Sequence, residues 1–255
     1  MIMFTPFLAL IMHRFVFLYF ILLFSSLTYA QKTVTFKSSD DLLITADLYE
    51  QNSQHPYIVL FHQAGYSRGE YKETAQKLVN LGYNCLAVDL RSGKEVNFVK
   101  NETAQRALED GKETDYLSAR PDMEAAIEYA FKKSEKRVII LGSSYSASLS
   151  LVIAASNHRV KAVIAYSPGE YFNGKLNVKN SISKIRKPVY ISSSKREENF
   201  IKQISQHIPK EYKTLFVPFK GNGIHGSRSL WSDCDSSDEY WLSLTMFFIK
   251  IKDTK

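Results

Sequence analysis

The strongest constraint on how this chain folds is a run with no polar residue in it. Tyr57-Ile58-Val59-Leu60-Phe61 is apolar at every position, the pattern of a strand covered on both faces rather than one with a wet side. Short, mostly apolar strand candidates recur at Cys85–Val88, Val138–Leu141, Val160–Ala165, Pro188–Ile191 and Thr214–Val217. Between them lie helical stretches: Glu70–Leu81, which stops at Gly82, then Pro121–Lys133, Leu149–Ala155 and Glu197–Ile208, with Asp238–Ile251 closing the chain. Proline in the first turn suits the second of these. Alternating strands and helices require right-handed crossovers, so the expected class is α/β, a mostly parallel central sheet with helices on both faces. Ahead of it, Val34–Phe36 and Leu42–Tyr49 alternate around Ser38-Ser39-Asp40-Asp41 and predict an antiparallel hairpin. No repeat, low-complexity segment or Pro/Gly-rich linker divides residues 31–255, which read as one domain.

The first thirty residues are of a different kind. Met1–Ala30 holds no acid and one fixed charge, Arg14, and Phe15–Leu27 is apolar apart from two serines. Thr28-Tyr29-Ala30 places small residues at −3 and −1 of a cut before Gln31. A basic start, an apolar core of about 7–15 residues and small residues before the cut describe a secretory signal peptide. Met12 offers a second start, with Met12-His13-Arg14 as a compact basic region. The expectation is a periplasmic or secreted protein cut after Ala30. The alternative is an uncleaved anchor, because Met1–Leu27 nearly spans a bilayer core of about 30 Å. The membrane is then a partner only through this segment, and the lack of cysteine at position 31 disfavours a lipoprotein.

Charge and cysteine content exclude several functions. Without Arg14 the chain keeps 32 bases against 26 acids, a net +6. The bases fall in short groups, Lys132-Lys133, Lys136-Arg137 and Lys184–Lys187, not in the dense, aromatic-interleaved stripe that nucleic acid requires. They read as solvated charge, with no nucleic-acid partner. Two cysteines, Cys85 in an apolar strand and Cys234 in a polar segment, are expected as unpaired thiols, since nothing in the sequence brings them together. No CxxC or CxxH spacing offers a zinc site, and neither a metal nor a cofactor is expected.

The chemistry concentrates at Val138–Ala147, where a buried strand runs into Gly142-Ser143-Ser144 and then a helix rich in small residues. Such a turn lifts a serine hydroxyl above the sheet edge at a helix N-terminus, with the next residue's N–H facing a developing oxyanion. Residues two before and two after the serine must be small, which Gly142 and Ser146 satisfy. Gly65-Tyr66-Ser67 shares the Gly-x-Ser spacing but lacks a helix directly after it, so the candidate nucleophile is Ser144. Its base is sought in a flexible loop after the last strand, and Gly221-Asn222-Gly223-Ile224-His225-Gly226 supplies His225. The orienting acid should lie between them in chain order, after the preceding strand. Glu197 holds that place, with Glu198 as a neighbouring rival. The second oxyanion N–H belongs in Phe61-His62-Gln63-Ala64-Gly65, on Ala64 or else Gln63, beside that of Tyr145. His62 reads as a structural loop residue rather than a second base.

These residues resemble the α/β-hydrolases, in particular the dienelactone-hydrolase-like and small serine esterase members, over about Thr33 to Ile251. His62-Gln63-Ala64-Gly65 stands where that family often has His-Gly-x-x-Gly, and Asp89-Leu90-Arg91-Ser92-Gly93 is similar to its Asp-x-Arg-x-x-Gly turn. Two features depart from the family pattern: Gln63 and Ser146 replace usual glycines, and the acid is a glutamate, Glu197, with Glu198 beside it. The resemblance implies acyl transfer: Ser144 attacks an ester or related carbonyl of a small molecule, His225 moves the proton, Glu197 holds the imidazole, and Asp89 is structural. A small peptidase or thioesterase of the same fold, or a catalytically silent binding protein, are the alternatives. Only about 20 residues separate Tyr166-Ser167-Pro168 from Pro188, too few for a cap domain, so the site is expected to be open or covered by loops, with Tyr171 and Phe172 lining it. The polar, weakly periodic stretch Arg91–Ala119 either borders the site or is a surface excursion.

Overall fold

The computed structural model describes residues 30–252. The expected leader of residues 1–30 lies outside them except for Ala30, which opens the first strand. Ten strands are present: β1 (Ala30–Lys37), β2 (Leu43–Glu50), β3 (Tyr57–Phe61), β4 (Asn84–Val88), β5 (Glu95–Val96), β6 (Val99–Lys100), β7 (Val138–Ser143), β8 (Val160–Tyr166), β9 (Val189–Ser192) and β10 (Lys213–Phe216). Eight of them form one sheet in the order β1-β2-β4-β3-β7-β8-β9-β10, while β5 and β6 make a small ribbon of their own. The ribbon is antiparallel; within the large sheet the antiparallel register is that of β2 on β4, with Ala46 opposite Val88. From β4 onward along that sheet the pairings are parallel, with Val59 opposite Ile140 between β3 and β7, and Leu141 opposite Ile164 between β7 and β8.

The continuous apolar runs end up where their pattern requires. Every residue of β3, β4 and β7 is buried. The helices are α1 (Lys72–Asn80), α2 (Glu102–Glu109), α3 (Arg120–Ser134), α4 (Tyr145–Ser156), α5 (Val178–Ser181), α6 (Glu198–Ile204) and α7 (Ser237–Lys252). Helix α3 packs on β3, β4 and β7, and α4 packs on β7 and β8. Among the described residues no helix is long and apolar enough to cross a membrane. Cys85 and Cys234 are both free and buried.

Helix α4 starts at Tyr145, directly after the turn as expected, and Tyr145 through Ala154 are all buried. One expectation needs correction: the stretch expected as one helix over Glu197–Ile208 is a 3₁₀ turn, Lys195–Glu197, followed by α6, which ends at Ile204. The polar stretch Arg91–Ala119 holds the β5–β6 ribbon and α2. Between β8 and β9 the chain carries only α5 and a 3₁₀ turn, Ile182–Lys184, so no cap domain is inserted there.

At the N-terminal ends of β7, β8 and β9 the scattered bases partly converge. Arg137, Lys161, Arg186, Lys187 and Lys250 line one cavity of about 300 Å³, with Glu211 its only acid.

Candidate active site

The parallel strands deliver three loops to their C-terminal edge. The turn after β7 carries Ser144, whose φ of 61° and ψ of −120° lie outside the usual regions for an L-residue. Such a conformation costs on the order of 1–3 kcal/mol and persists only where the surroundings enforce it. Here they do. A Cβ on Gly142 would lie 2.5 Å from the Ser146 carbonyl and 2.6 Å from Ala147 Cα and N, all rigid backbone. Ser146, in place of the usual glycine, adds a tie. Its hydroxyl lies 2.7 Å from the Phe61 carbonyl oxygen, and it accepts from Ser143 N–H at 2.9 Å. The elbow is thereby fastened to the end of β3.

His225 lies beyond β10, with its Nε2 2.9 Å from Ser144 Oγ and its Nδ1 2.5 Å from Glu197 Oε1. The carboxylate acceptor places the imidazole proton on Nδ1 and leaves Nε2 to accept from the serine hydroxyl. Glu197, in the 3₁₀ turn after β9, is the acid that the structure brings to this line. Its Oε2 accepts from Ser194 Oγ at 2.7 Å, Ser194 N–H at 3.1 Å and Ser167 Oγ at 2.9 Å. Partial burial pulls the Glu197 carboxyl upward, but the bonds from His225, Ser194 and Ser167 outweigh it and hold the group at about 2. Glu198 instead pairs with Lys202 on the exposed side of α6 at 2.6 Å.

The loop after β3 approaches from the other side. Ala64 N–H and Tyr145 N–H have no intramolecular partner among the described residues. Gln63 N–H donates to Glu70 Oε2 at 2.8 Å, which removes it as an alternative donor to an oxyanion. His62 is buried and outside the site line: its Nε2 accepts from Leu90 N–H at 2.9 Å and its Nδ1 faces the Gln63 carbonyl at 2.8 Å. Burial brings its imidazole down to about 4, so it stays neutral and its Nδ1–H donates to that carbonyl. The Gln63 carbonyl and the Ala64 N–H share one trans peptide, so pinning the oxygen aims the N–H the opposite way.

The expected lining residues converge on a neighbouring cavity. Tyr171 donates to the Ser167 carbonyl at 2.9 Å. With Phe172, Asn173 and Lys175 on one side and Asp115, Tyr116 and Leu117 on the other, it encloses about 300 Å³. Tyr116 stacks on Tyr145 at 4.5 Å between centroids, so Arg91–Ala119 does border the site. Asp89 takes the structural place expected of it, accepting from Arg68 NH1 at 2.6 Å and Glu102 N–H at 2.9 Å. The sequence did not single out Ser143 and Ser167, which tie loops together: Ser143 Oγ accepts from Ser227 N–H at 2.9 Å, and Ser167 Oγ accepts from Gly226 N–H at 2.9 Å while donating to Glu197. Ser194 had a signal, because Ser194-x-x-Glu197 has the spacing of a capping box, which the structure forms. Among the described residues no group of His, Cys, Asp or Glu could hold a metal.

Residues 44–220 match the dienelactone hydrolase family. The chain belongs to that family. This family member is 34% identical over 136 residues to the quorum-quenching protein AidA of Acinetobacter baumannii, an alignment covering 51% of this chain and 41% of that protein. The aligned part thus spans well under two thirds of that relative's length. Among solved structures it is similar to the esterase Pf2001 of Pyrococcus furiosus, with a TM-score of 0.65 at 16% identity over 88% of this chain and 93% of that one. It is similar also to a dienelactone hydrolase from Anabaena variabilis, with a TM-score of 0.66 at 15% identity over 87% and 98% of the two chains. Those likenesses, all at low identity, establish the α/β-hydrolase fold.

Proposed function

We propose that this protein is an exported serine hydrolase that cleaves an ester or related acyl bond through an acyl-enzyme. The observation carrying the reading is the unbroken hydrogen-bonded line from Ser144 Oγ to His225 Nε2 and from His225 Nδ1 to Glu197 Oε1. As the Ser144 oxygen attacks the carbonyl carbon, His225 Nε2 takes its proton and Glu197 stabilises the imidazolium through Nδ1–H. The tetrahedral oxygen meets the N–H groups of Tyr145 and Ala64, both free of other partners. The protonated His225 then gives its proton to the leaving oxygen, and the acyl group stays on Ser144. Water, deprotonated by His225, releases the acid and restores the serine. The cavity walled by Tyr116, Leu117, Tyr171 and Phe172 would receive one arm of a small substrate.

Export rests on the composition of residues 1–30, with their single basic residue, apolar core and Thr28-Tyr29-Ala30 end. The test is a fluorophosphonate probe with a panel of p-nitrophenyl esters. Labelling and turnover by the wild type that vanish in Ser144→Ala support the reading; absence of both in the wild type overturns it. N-terminal sequencing of the exported protein should begin at Gln31, and an intact Met1 or Met12 would replace export by anchoring.

A further inference from the structure

Glu70 lies in a 3₁₀ turn, Arg68–Tyr71, between β3 and α1, and is fully buried. It belongs to none of the proton-transfer steps above. A buried carboxyl is costly, and burial pushes this one up to about 7 against the pull of its hydrogen bonds from Ser227 and Gln63. Its side chain makes no ion pair among the described residues. Both oxygens are engaged, and they are engaged on different loops. Oε2 accepts from Gln63 N–H at 2.8 Å, on the loop that carries Ala64. Oε1 accepts from Ser227 Oγ at 2.5 Å, two residues beyond His225. The Glu70 backbone is itself held, since Trp231 Nε1 donates to its carbonyl at 2.9 Å. Ser227 N–H in turn donates to Ser143 Oγ at 2.9 Å, the residue before the nucleophile. One side chain therefore stands between the loop expected to bind the oxyanion and the loop that delivers the base.

A stability role explains this poorly. An apolar residue of similar volume would fill the same space without the desolvation cost, but it could not accept from Gln63 N–H. That N–H would otherwise be a buried donor without a partner, free to pull the Gln63 peptide round. The Gln63–Ala64 peptide has its carbonyl held by His62, and the preceding peptide has its N–H held by Glu70. With both fixed, Ala64 N–H has one direction to point.

We propose that Glu70 is a positioning residue for the esterase reaction: it clamps the loop bearing Ala64 N–H in its oxyanion-binding orientation and couples that loop, through Ser227, to the placement of His225. It rests on the reading that Ser144 and His225 carry out acyl transfer. Glu70 moves no proton to substrate and touches no reacting atom; it acts through backbone.

The test compares wild type, Glu70→Ala, Glu70→Gln, Ser227→Ala and Ser144→Ala on p-nitrophenyl acetate, with melting curves for each. Losing one oxyanion donor lowers kcat by about 100-fold or more, so Glu70→Ala should lose about that in kcat with KM within twofold. A glutamine oxygen can still accept from Gln63 N–H, so Glu70→Gln should recover kcat to within about tenfold of wild type. Ser227→Ala leaves the Glu70 carboxylate and its bond from Gln63 N–H in place, so it tests the coupling where Glu70→Ala unfolds, and should lower kcat about five- to tenfold, again at unchanged KM. A folded Glu70→Ala, or Ser227→Ala, that keeps kcat within twofold of wild type overturns the proposal, as does an equal loss in Glu70→Gln and Glu70→Ala. If the wild type itself shows no Ser144-dependent turnover, the acyl-transfer reading fails, and the positioning role with it; normal turnover in wild type beside unaffected Glu70 and Ser227 variants condemns the positioning role alone.

Discussion

Exchanging Glu197 for glutamine probes the site at its most structured contact. In the wild type the carboxylate accepts on every side: from His225 Nδ1–H through Oε1, and from Ser194 N–H, Ser194 Oγ and Ser167 Oγ through Oε2. A glutamine has one accepting oxygen and one donating nitrogen. The cluster of three donors around Oε2 retains the oxygen, so the amide nitrogen turns toward His225 and donates to Nδ1. The imidazole must then carry its proton on Nε2, where it faces Ser144 Oγ as a donor and cannot act as base. A wrong tautomer in an otherwise intact line costs about 10,000-fold in kcat, or about 5.4 kcal/mol of barrier. Glu198→Gln removes only the exposed pair with Lys202, worth about 0.3–0.5 kcal/mol of stability, and should leave kcat unchanged. Turnover of p-nitrophenyl acetate by the two purified variants measures the contrast.

The same exchange has a second signature in acid. Above the ordinary glutamate value of 4.5 the group is ionised in both folded and unfolded chains, and its stabilising contribution is complete. As pH falls from 4.5 toward about 2 only the unfolded chain takes up the proton, so that contribution is lost with falling pH. Glu197→Gln should lack this part of the pH dependence of the melting temperature. An E197Q enzyme within tenfold of wild type, or E197Q and E198Q with equal losses, would refute the assignment of the acid.

Other consequences can be checked directly. Ser146→Ala removes the acceptor of buried Ser143 N–H and should cost about 1–3 kcal/mol in urea unfolding, whereas a loss below 0.5 kcal/mol, on the order of an ordinary surface change, would show that the hydroxyl is not needed. Ser144→Gly should melt above Ser144→Ala, because only glycine relieves the positive φ of the elbow; the reverse order would mean that the elbow stores no strain. Arg91→Lys breaks the forked contact with Asp122, where NH2 lies 2.6 Å from Oδ1, and the pair with Asp40; lysine cannot reproduce that geometry, and a drop of about 3–5 kcal/mol is expected.

Much of the fold was legible because burial on two faces leaves a mark that no loop or exposed strand imitates. Tyr57–Phe61 could be read to the residue, and the order of Ser144, Glu197 and His225 followed from where strands end. What escaped had physical reasons. Helix α2 is two turns long within a polar stretch, and it is fixed by Asn101 capping Ala104 N–H at 2.8 Å and by Asp89 accepting from Glu102 N–H at 2.9 Å, not by a broad apolar face. Ala64 and Gln63 stand alike in the sequence, and what sets them apart is Glu70, seven positions beyond Gln63, which engages the Gln63 amide and leaves that of Ala64 unpartnered among the described residues. The ties from Ser143 and Ser167 are tertiary, each made to a loop from another part of the chain, and no local pattern encodes them, whereas Ser194-x-x-Glu197 is a capping box whose spacing is local.

Arg137, Lys161, Arg186, Lys187 and Lys250 gather around one cavity with a single acid, Glu211. That cavity lies where the strands begin, and Ser144 lies where they end. The local excess of positive charge therefore stands apart from the reacting atoms, and because charge attraction is screened beyond about 10 Å at 0.1 M salt, replacing these bases should leave the chemistry at Ser144 unchanged.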